Sequence, residues 1–206
     1  MTIHPDNMET IEAIVPLLRS SESVLFITGA GISADSGLPT YRGIGGLYDR
    51  EITEEGYRIE DALSGDMLRA RPEIAWKYIL QIEGACRGAK CNRGHEVIAA
   101  FEREFGRVWV LTQNIDGFHH AAGSRNIIDI HGDIHSVSCM SCRYHATVPD
   151  YGGFGLPPRC PDCGAVIRPD VVLFGERLPY DKLRTPEREP DARVGTVFPL
   201  GTHDFL

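Results

Sequence analysis

No apolar run in this 206-residue chain approaches the roughly 18–20 residues needed to cross a bilayer, which excludes a membrane-spanning helix. The start, Met1 to Asn7, lacks the charged-then-apolar pattern of an export signal. Basic charge is also scarce: 21 Lys and Arg face 29 Asp and Glu, a formal charge of −8. Broad, sequence-blind nucleic-acid binding needs the opposite balance. There is no internal repeat and no low-complexity tract. With 42% hydrophobic and 24% charged residues the chain has ordinary globular values, and its length suits one domain carrying a small insert. The expectation is a soluble, cytoplasmic protein.

What is present begins with six cysteines. Cys139 and Cys142 form one C-x-x-C pair, Cys160 and Cys163 another, and 17 residues separate the pairs. In a reducing compartment this spacing predicts one tetrahedral Zn²⁺ site. Four thiolates saturate the metal and leave no position for water, so the zinc is structural and zinc-assisted hydrolysis is excluded. Cys86 and Cys91 stand apart and read as ordinary unbridged thiols.

Residues 8–20 place Ile11, Ile14, Val15 and Leu18 on one helical face. Val24–Ile27 and Val108–Leu111 are short apolar runs of strand formers, read as buried strands, with a third strand near Ile127–Ile130. Residues 60–70, 72–86 and 95–104 read as helices, Pro72 suiting a helix start. Residues 37–50 are too rich in Gly and Pro for regular structure. This alternation predicts an α/β fold: a Rossmann-like parallel sheet with an inserted small zinc-binding module.

Three stretches at strand ends carry candidate chemistry. Gly29-x-Gly31-x-x-Ala34 follows the first strand and fits the dinucleotide fingerprint, with a helix expected near Ser33 to point its N–H groups at phosphates. A plain glycine-rich turn remains the alternative. An ordinary dehydrogenase would carry a ribose-binding acid on a second strand about 20 residues on. Here that stretch is a loop with Tyr41 and Arg42, placed to fold over a dinucleotide, so hydride transfer is disfavoured. Gln113, Asn114 and Asp116 follow the second strand and can bind a sugar or an amide, or cap the next helix. His131 ends the third strand and suits general-base work on a hydroxyl, with His119, His120 and His135 as nearby competitors.

Together these motifs resemble the sirtuins, the NAD-dependent protein deacylases. The stretches GAGISADSGLPTYRG (29–43), TQNIDGFH (112–119), His131-Gly132, the two cysteine pairs and RPDVVLFGE (168–176) occur in that family's order. The resemblance implies that Gly29, Ala30, Gly31 and Ser33 line the NAD phosphates and adjacent ribose. Asp35, Tyr41 and Arg42 lie near the cofactor, and Gln113, Asn114 and Asp116 at the nicotinamide ribose and amide. His131 is then the general base. Val172, Phe174 and Gly175 pair with an extended acyl-lysine protein or peptide by strand addition. It further implies transfer of the acyl group to ADP-ribose with release of nicotinamide, in a water-poor site. Succinyl-lysine-specific members carry a Tyr-x-x-Arg in the helix after Arg71-Pro72. Here Ile79 and Ile82 fall there, which predicts deacetylation over desuccinylation.

The implied layout is an NAD-binding domain of residues 1–138 and 167–206, with a helical insert at about 44–92, and a zinc module of residues 139–166. No membrane or sequence-specific nucleic acid is expected as a partner. The family continues past the FGE motif with a helix and a strand ending in Gly-Thr. Residues 196–202 fall near that strand, which makes Gly201 and Thr202 cofactor candidates. Pro199 inside the run disfavours a central strand, and Pro186 and Pro190 interrupt the helix before it. The expectation is a sheet incomplete at its C-terminus and weakened NAD binding. The alternative is a catalytically impaired member that holds only zinc and acyl-lysine peptide. A zinc-containing NAD oxidoreductase ranks below both.

Overall fold

The computed structural model describes residues 5–38, 52–105, 107–179 and 196–200. Residues 39–50 of the expected broken stretch 37–50, the prolines 186 and 190, and the candidates Tyr41, Arg42, Gly201 and Thr202 lie outside the described residues.

The chain opens with helix α1 (Pro5–Ser20), strand β1 (Val24–Thr28) and a single helical turn, α2 (Ala30–Ser33), continued by a 3-10 turn at Ala34–Ser36. Helices α3 (Ile59–Ala62), α4 (Gly65–Ala70), α5 (Pro72–Cys86) and α6 (Arg93–Glu104) follow. Then come β2 (Val108–Thr112), α7 (Phe118–Ala122), β3 (Ile127–Asp129), β4 (Gly132–Cys139), β5 (His145–Thr147), β6 (Ile167–Val171) and β7 (Thr196–Leu200). No helix among the described residues is long and apolar enough to cross a membrane.

The helix expected near Ser33 differs from the finding. It starts at Ala30, with extended Gly29 as its N-cap, and runs a single turn before the 3-10 segment closes at left-handed Gly37. The expected helix over 60–70 divides at Leu63-Ser64, because the Ser64 hydroxyl accepts from the Met67 N–H at 3.0 Å and starts a new helix there.

Two sheets result. The first runs β3-β2-β1-β7 with every pair parallel. β1 and β2 bury alternate residues completely, as central strands do, and Val24, Phe26, Val108 and Val110 pack with Ile98 of α6. Pro199 sits inside β7 opposite Ile27. The Thr196 N–H donates to Ser23 O, and Leu200 O accepts from the Gly29 N–H. The residues at 196, 198 and 200 therefore bond towards β1, and the Pro199 nitrogen points to the opposite side. A proline is compatible with a strand that is paired on one side only, which is where β7 lies among the described strands.

The second sheet, β5-β4-β6, is antiparallel. Sequence reading assigned no element to residues 132–138, where polar residues alternate with Ile134 and Val137. They form β4, and only its inward positions are buried. This sheet packs on the helical insert: Trp76 of α5 is fully buried, and its indole N–H donates to Ile167 O at 2.8 Å.

Gly132 joins the sheets. Its φ is 90°, and a Cβ there would lie 1.9 Å from Asp170 O, a main-chain atom that has no room to move. Gly132→Ala should lower unfolding free energy by upward of about 3 kcal/mol. A denaturant titration checks this, and an unshifted midpoint would contradict the packing.

Candidate active site and metal centre

Parallel sheets place ligands at the carboxyl ends of their strands. Here those ends are tied together. The Gln113 N–H, just past β2, donates to Thr28 O of β1 at 2.9 Å. The Asn114 amide spans the same gap, donating to Gly29 O at 3.0 Å and to Ser33 Oγ at 3.1 Å. Ser33 Oγ donates in turn to Asp116 Oδ2 at 2.7 Å, and Asp116 Oδ1 accepts from the Phe118 N–H at 3.0 Å. Asp116 thus accepts from the first N–H of α7 and holds the glycine turn through Ser33.

His131 joins from β3. Its Nδ1 lies 2.9 Å from Gln113 O. A carbonyl can only accept, so Nδ1 carries the proton, and in neutral imidazole the lone pair is on Nε2. The three competing histidines are occupied otherwise. Buried His119 Nε2 contacts Thr28 Oγ1 at 2.9 Å, exposed His120 pairs with Asp129 at 2.9 Å, and His135 lies within the second sheet.

A cavity of about 380 Å³ opens at these strand ends. Ala30, Ser33, Gln113, Asn114, Asp116, His131, Val172 and Phe174 line it, so the structure brings these predicted residues together. Gly29 is buried beside it, held by Asn114. Gly31 and Asp35 are exposed and lie off the lining, and Gly175 borders a separate surface hollow beside Tyr57 and Asp66. The apolar part of the lining is largely what residue-by-residue reading missed: Leu63, Ala85, Ile134, Val171 and Leu173 join Ile79 and Ile82. Cys86 is there too, its thiol pushed up to about 11 by burial, with the Asp116 and Glu83 charges adding to the rise.

Phe174 uses its main chain inside the protein. Its N–H donates to Leu63 O at 3.1 Å, and its carbonyl accepts from the Gly65 N–H at 3.2 Å. The Val172 N–H donates to His131 O at 2.8 Å.

The four paired cysteines meet at one point, all Sγ atoms within 4.8 Å of one another. Sγ of Cys139 lies 3.5 Å from that of Cys163, and Cys142 lies 3.6 Å from Cys160. Zn–S bonds of about 2.3 Å place tetrahedral sulfurs about 3.8 Å apart, so the set fits one zinc ion with no open position. The Ser141 and Cys142 N–H groups donate to Cys139 Sγ, and the Ser141 contact leads in pulling its thiol down to about 6.

The sequence profile of the Sir2 family matches residues 29–203. The chain belongs to the Sir2 family. It is 48% identical over 200 residues to an NAD-dependent protein deacylase 2 of Pseudomonas aeruginosa, covering 96% of this chain and 78% of that one. It is 40% identical to an NAD-dependent protein deacylase 1 of Caldanaerobacter subterraneus, covering 90% and 74%. Among solved structures, a Sir2 homolog–NAD complex superposes with a TM-score of 0.80 at 35% identity, over 95% of this chain and 73% of that one. A Sir2–p53 peptide–NAD⁺ complex superposes with a TM-score of 0.72 at 32% identity, over 85% and 69%.

The buried His119 gives a pH test. Burial, then the His95 and His120 charges, pull it from its ordinary 6.5 to about 4, and no hydrogen-bond partner among the described residues reaches its Nδ1. Between these values the unfolded chain binds the extra proton. The contribution is therefore complete above about pH 6.5 and falls away as pH drops towards 4, by on the order of 3 kcal/mol. Chemical denaturation across pH 4–7 should show a shallower decline for His119→Gln than for the wild type. Parallel curves would contradict the assignment.

Proposed function

We propose that this Sir2-family chain is an NAD-dependent protein lysine deacylase, transferring an acyl group from lysine to ADP-ribose with release of nicotinamide, and favouring acetyl over succinyl groups. The observation that carries this is the convergence of the glycine turn, the Gln113–Asp116 tip and His131, with its Nδ1–H fixed, on one cavity.

The donor set suits the nucleotide. Gly29 allows the tight turn, Gly31 leaves the backbone open where a pyrophosphate approaches, and the Ser33, Asn114 and Asp116 side chains form a connected polar wall for a ribose and an amide. Tyr41, Arg42, Asp35, Gly31, Gly201 and Thr202 complete the proposed cofactor set. When bound, NAD supplies the electrophilic sugar carbon and a leaving group. His131 takes a proton from a ribose hydroxyl at Nε2, while Gln113 O stabilises the charge that develops on the ring. Leu63, Ile79, Ile134 and Leu173 keep water from the reacting atoms.

The acyl group enters against Ile79 and Ile82. Neither can pair with a carboxylate, and no Lys or Arg is among the described lining residues. A peptide strand laid on the 172–175 segment pairs with the Val172 carbonyl and the main chain of Gly175, since Phe174 has given its own to Leu63 and Gly65. Phe174 then contributes its ring. The unbridged Cys86 and Cys91 and the zinc-type thiol set suit a reducing compartment, and we place the protein in the cytoplasm; recovery from an exported fraction would overturn that.

The test is deacylation of acetyl- and succinyl-lysine peptides with and without NAD. Acetyl turnover should require NAD, exceed succinyl turnover by about tenfold or more in kcat/KM, and fall by about a hundredfold or more in His131→Ala. Turnover without NAD, or by His131→Ala at the wild-type rate, would overturn the reading. Faster succinyl turnover would overturn the acyl preference.

A further inference from the structure

Val171 ends strand β6, and the cavity-lining residues after it, Val172 to Phe174, have little regular structure to hold them. Arg168 and Glu176 flank this segment and are not among the residues that line the cavity, yet they are locked together. Arg168 Nη1 and Nη2 donate to Glu176 Oε1 and Oε2, both at 2.8 Å, a two-pronged pair. Each partner also holds main chain between them. Arg168 Nη2 donates to Val171 O at 2.9 Å, and Glu176 Oε2 accepts from the Leu173 N–H at 3.0 Å. The pair is partly buried, with the side chains 24% and 19% exposed, so its hydrogen bonds are not those of a loose surface contact. The Arg168 guanidinium holds the Glu176 carboxyl below the ordinary carboxylate range.

The surroundings make room for this pair. A Cβ on Gly65 would lie 2.6 Å from Glu176 Oε1, so the helix α4 start closes over the carboxylate only because residue 65 has no side chain. That same Gly65 donates its N–H to Phe174 O. Val172, between the two clamped residues Val171 and Leu173, donates to His131 O. Fixing Val171 O and Leu173 N thus fixes the residue that bridges the acyl-lysine wall to the general base.

We propose that Arg168 and Glu176 are positioning residues for the acyl-lysine substrate: their ion pair holds residues 171–174 in the shape that receives the peptide. This rests on the deacylase reading above. A loose segment would have to be ordered at each binding event, and that cost falls on the peptide and not on NAD, whose turn lies across the cavity.

The full chain is compared with Glu176→Gln, which keeps the shape and removes the charge, and with Arg168→Lys, which keeps the charge and removes the fork. Peptide and NAD are varied separately in the deacylation assay, and anisotropy of a fluorescein-labelled acetyl-lysine peptide reports binding without turnover. Each variant should raise the peptide KM and Kd by about tenfold, the worth of one charge-assisted hydrogen bond, with the NAD KM unchanged. Unchanged peptide binding, or equal losses for peptide and NAD, overturns the proposal. If Glu176→Gln does not fold, Arg168→Lys carries the comparison; failure of both makes the pair a fold-stabilising one and overturns it as well. A wild-type chain that neither binds nor turns over the peptide overturns the deacylase reading itself. A wild type that does both, alongside variants that match it, overturns the clamp alone.

Discussion

The Asn114 side-chain amide reaches from the tip of β2 to Gly29 and Ser33 at the tip of β1, and the rest of the site depends on that span. A parallel sheet leaves its strand ends splayed into separate loops. Hydrogen bonds across those ends turn three loops into one wall. Gln113 contributes its N–H to Thr28 and its carbonyl to His131, so one residue ties together all three strand tips. Asp116 closes the ring through Ser33. Each of these polar groups is satisfied by protein before any ligand arrives, so the site is preorganised rather than assembled on binding.

The opposite wall has another origin. It comes from the helical insert and the end of β6, and its core is continuous with that of the antiparallel sheet: Ile59, Trp76, Ile79, Tyr151 and Leu173 belong to one buried cluster. The cysteine site lies at the far end of that sheet, where Cys139 ends β4. A zinc ion there fixes two turns that have little apolar surface of their own, and through β4 and β6 it holds Gly132 and Val171 next to His131. A metal that takes no part in chemistry would still fix where His131 and the Val171–Phe174 segment meet.

Much of this was legible in the sequence because it rests on local signals. Apolar runs marked β1 and β2, paired cysteines marked the metal centre, and glycine, amide and imidazole at strand ends marked the polar wall. The rest was hidden for identifiable reasons. β4 breaks its alternation at a bulge between Asp133 and Val137, and Arg168, Pro169 and Asp170 leave β6 without an apolar run although it pairs along its length with β4. The helix after Gly29 starts three residues before Ser33 because extended Gly29 caps it. The apolar lining draws on Leu63, Ala85, Ile134 and Leu173, from four separate stretches of the chain, and no spacing in one segment could announce that they meet. Pro199 argued against a central strand, and the structure points its nitrogen to the side of β7 that has no partner among the described strands.

Calorimetric titration of NAD into the wild-type chain and Asn114→Ala tests the shared wall most directly. The account predicts saturable binding of one NAD per wild-type chain, and a loss of about tenfold or more in affinity when the amide that bridges both strand tips is removed. Equal affinity in the two proteins, or no binding by the wild type, would contradict it.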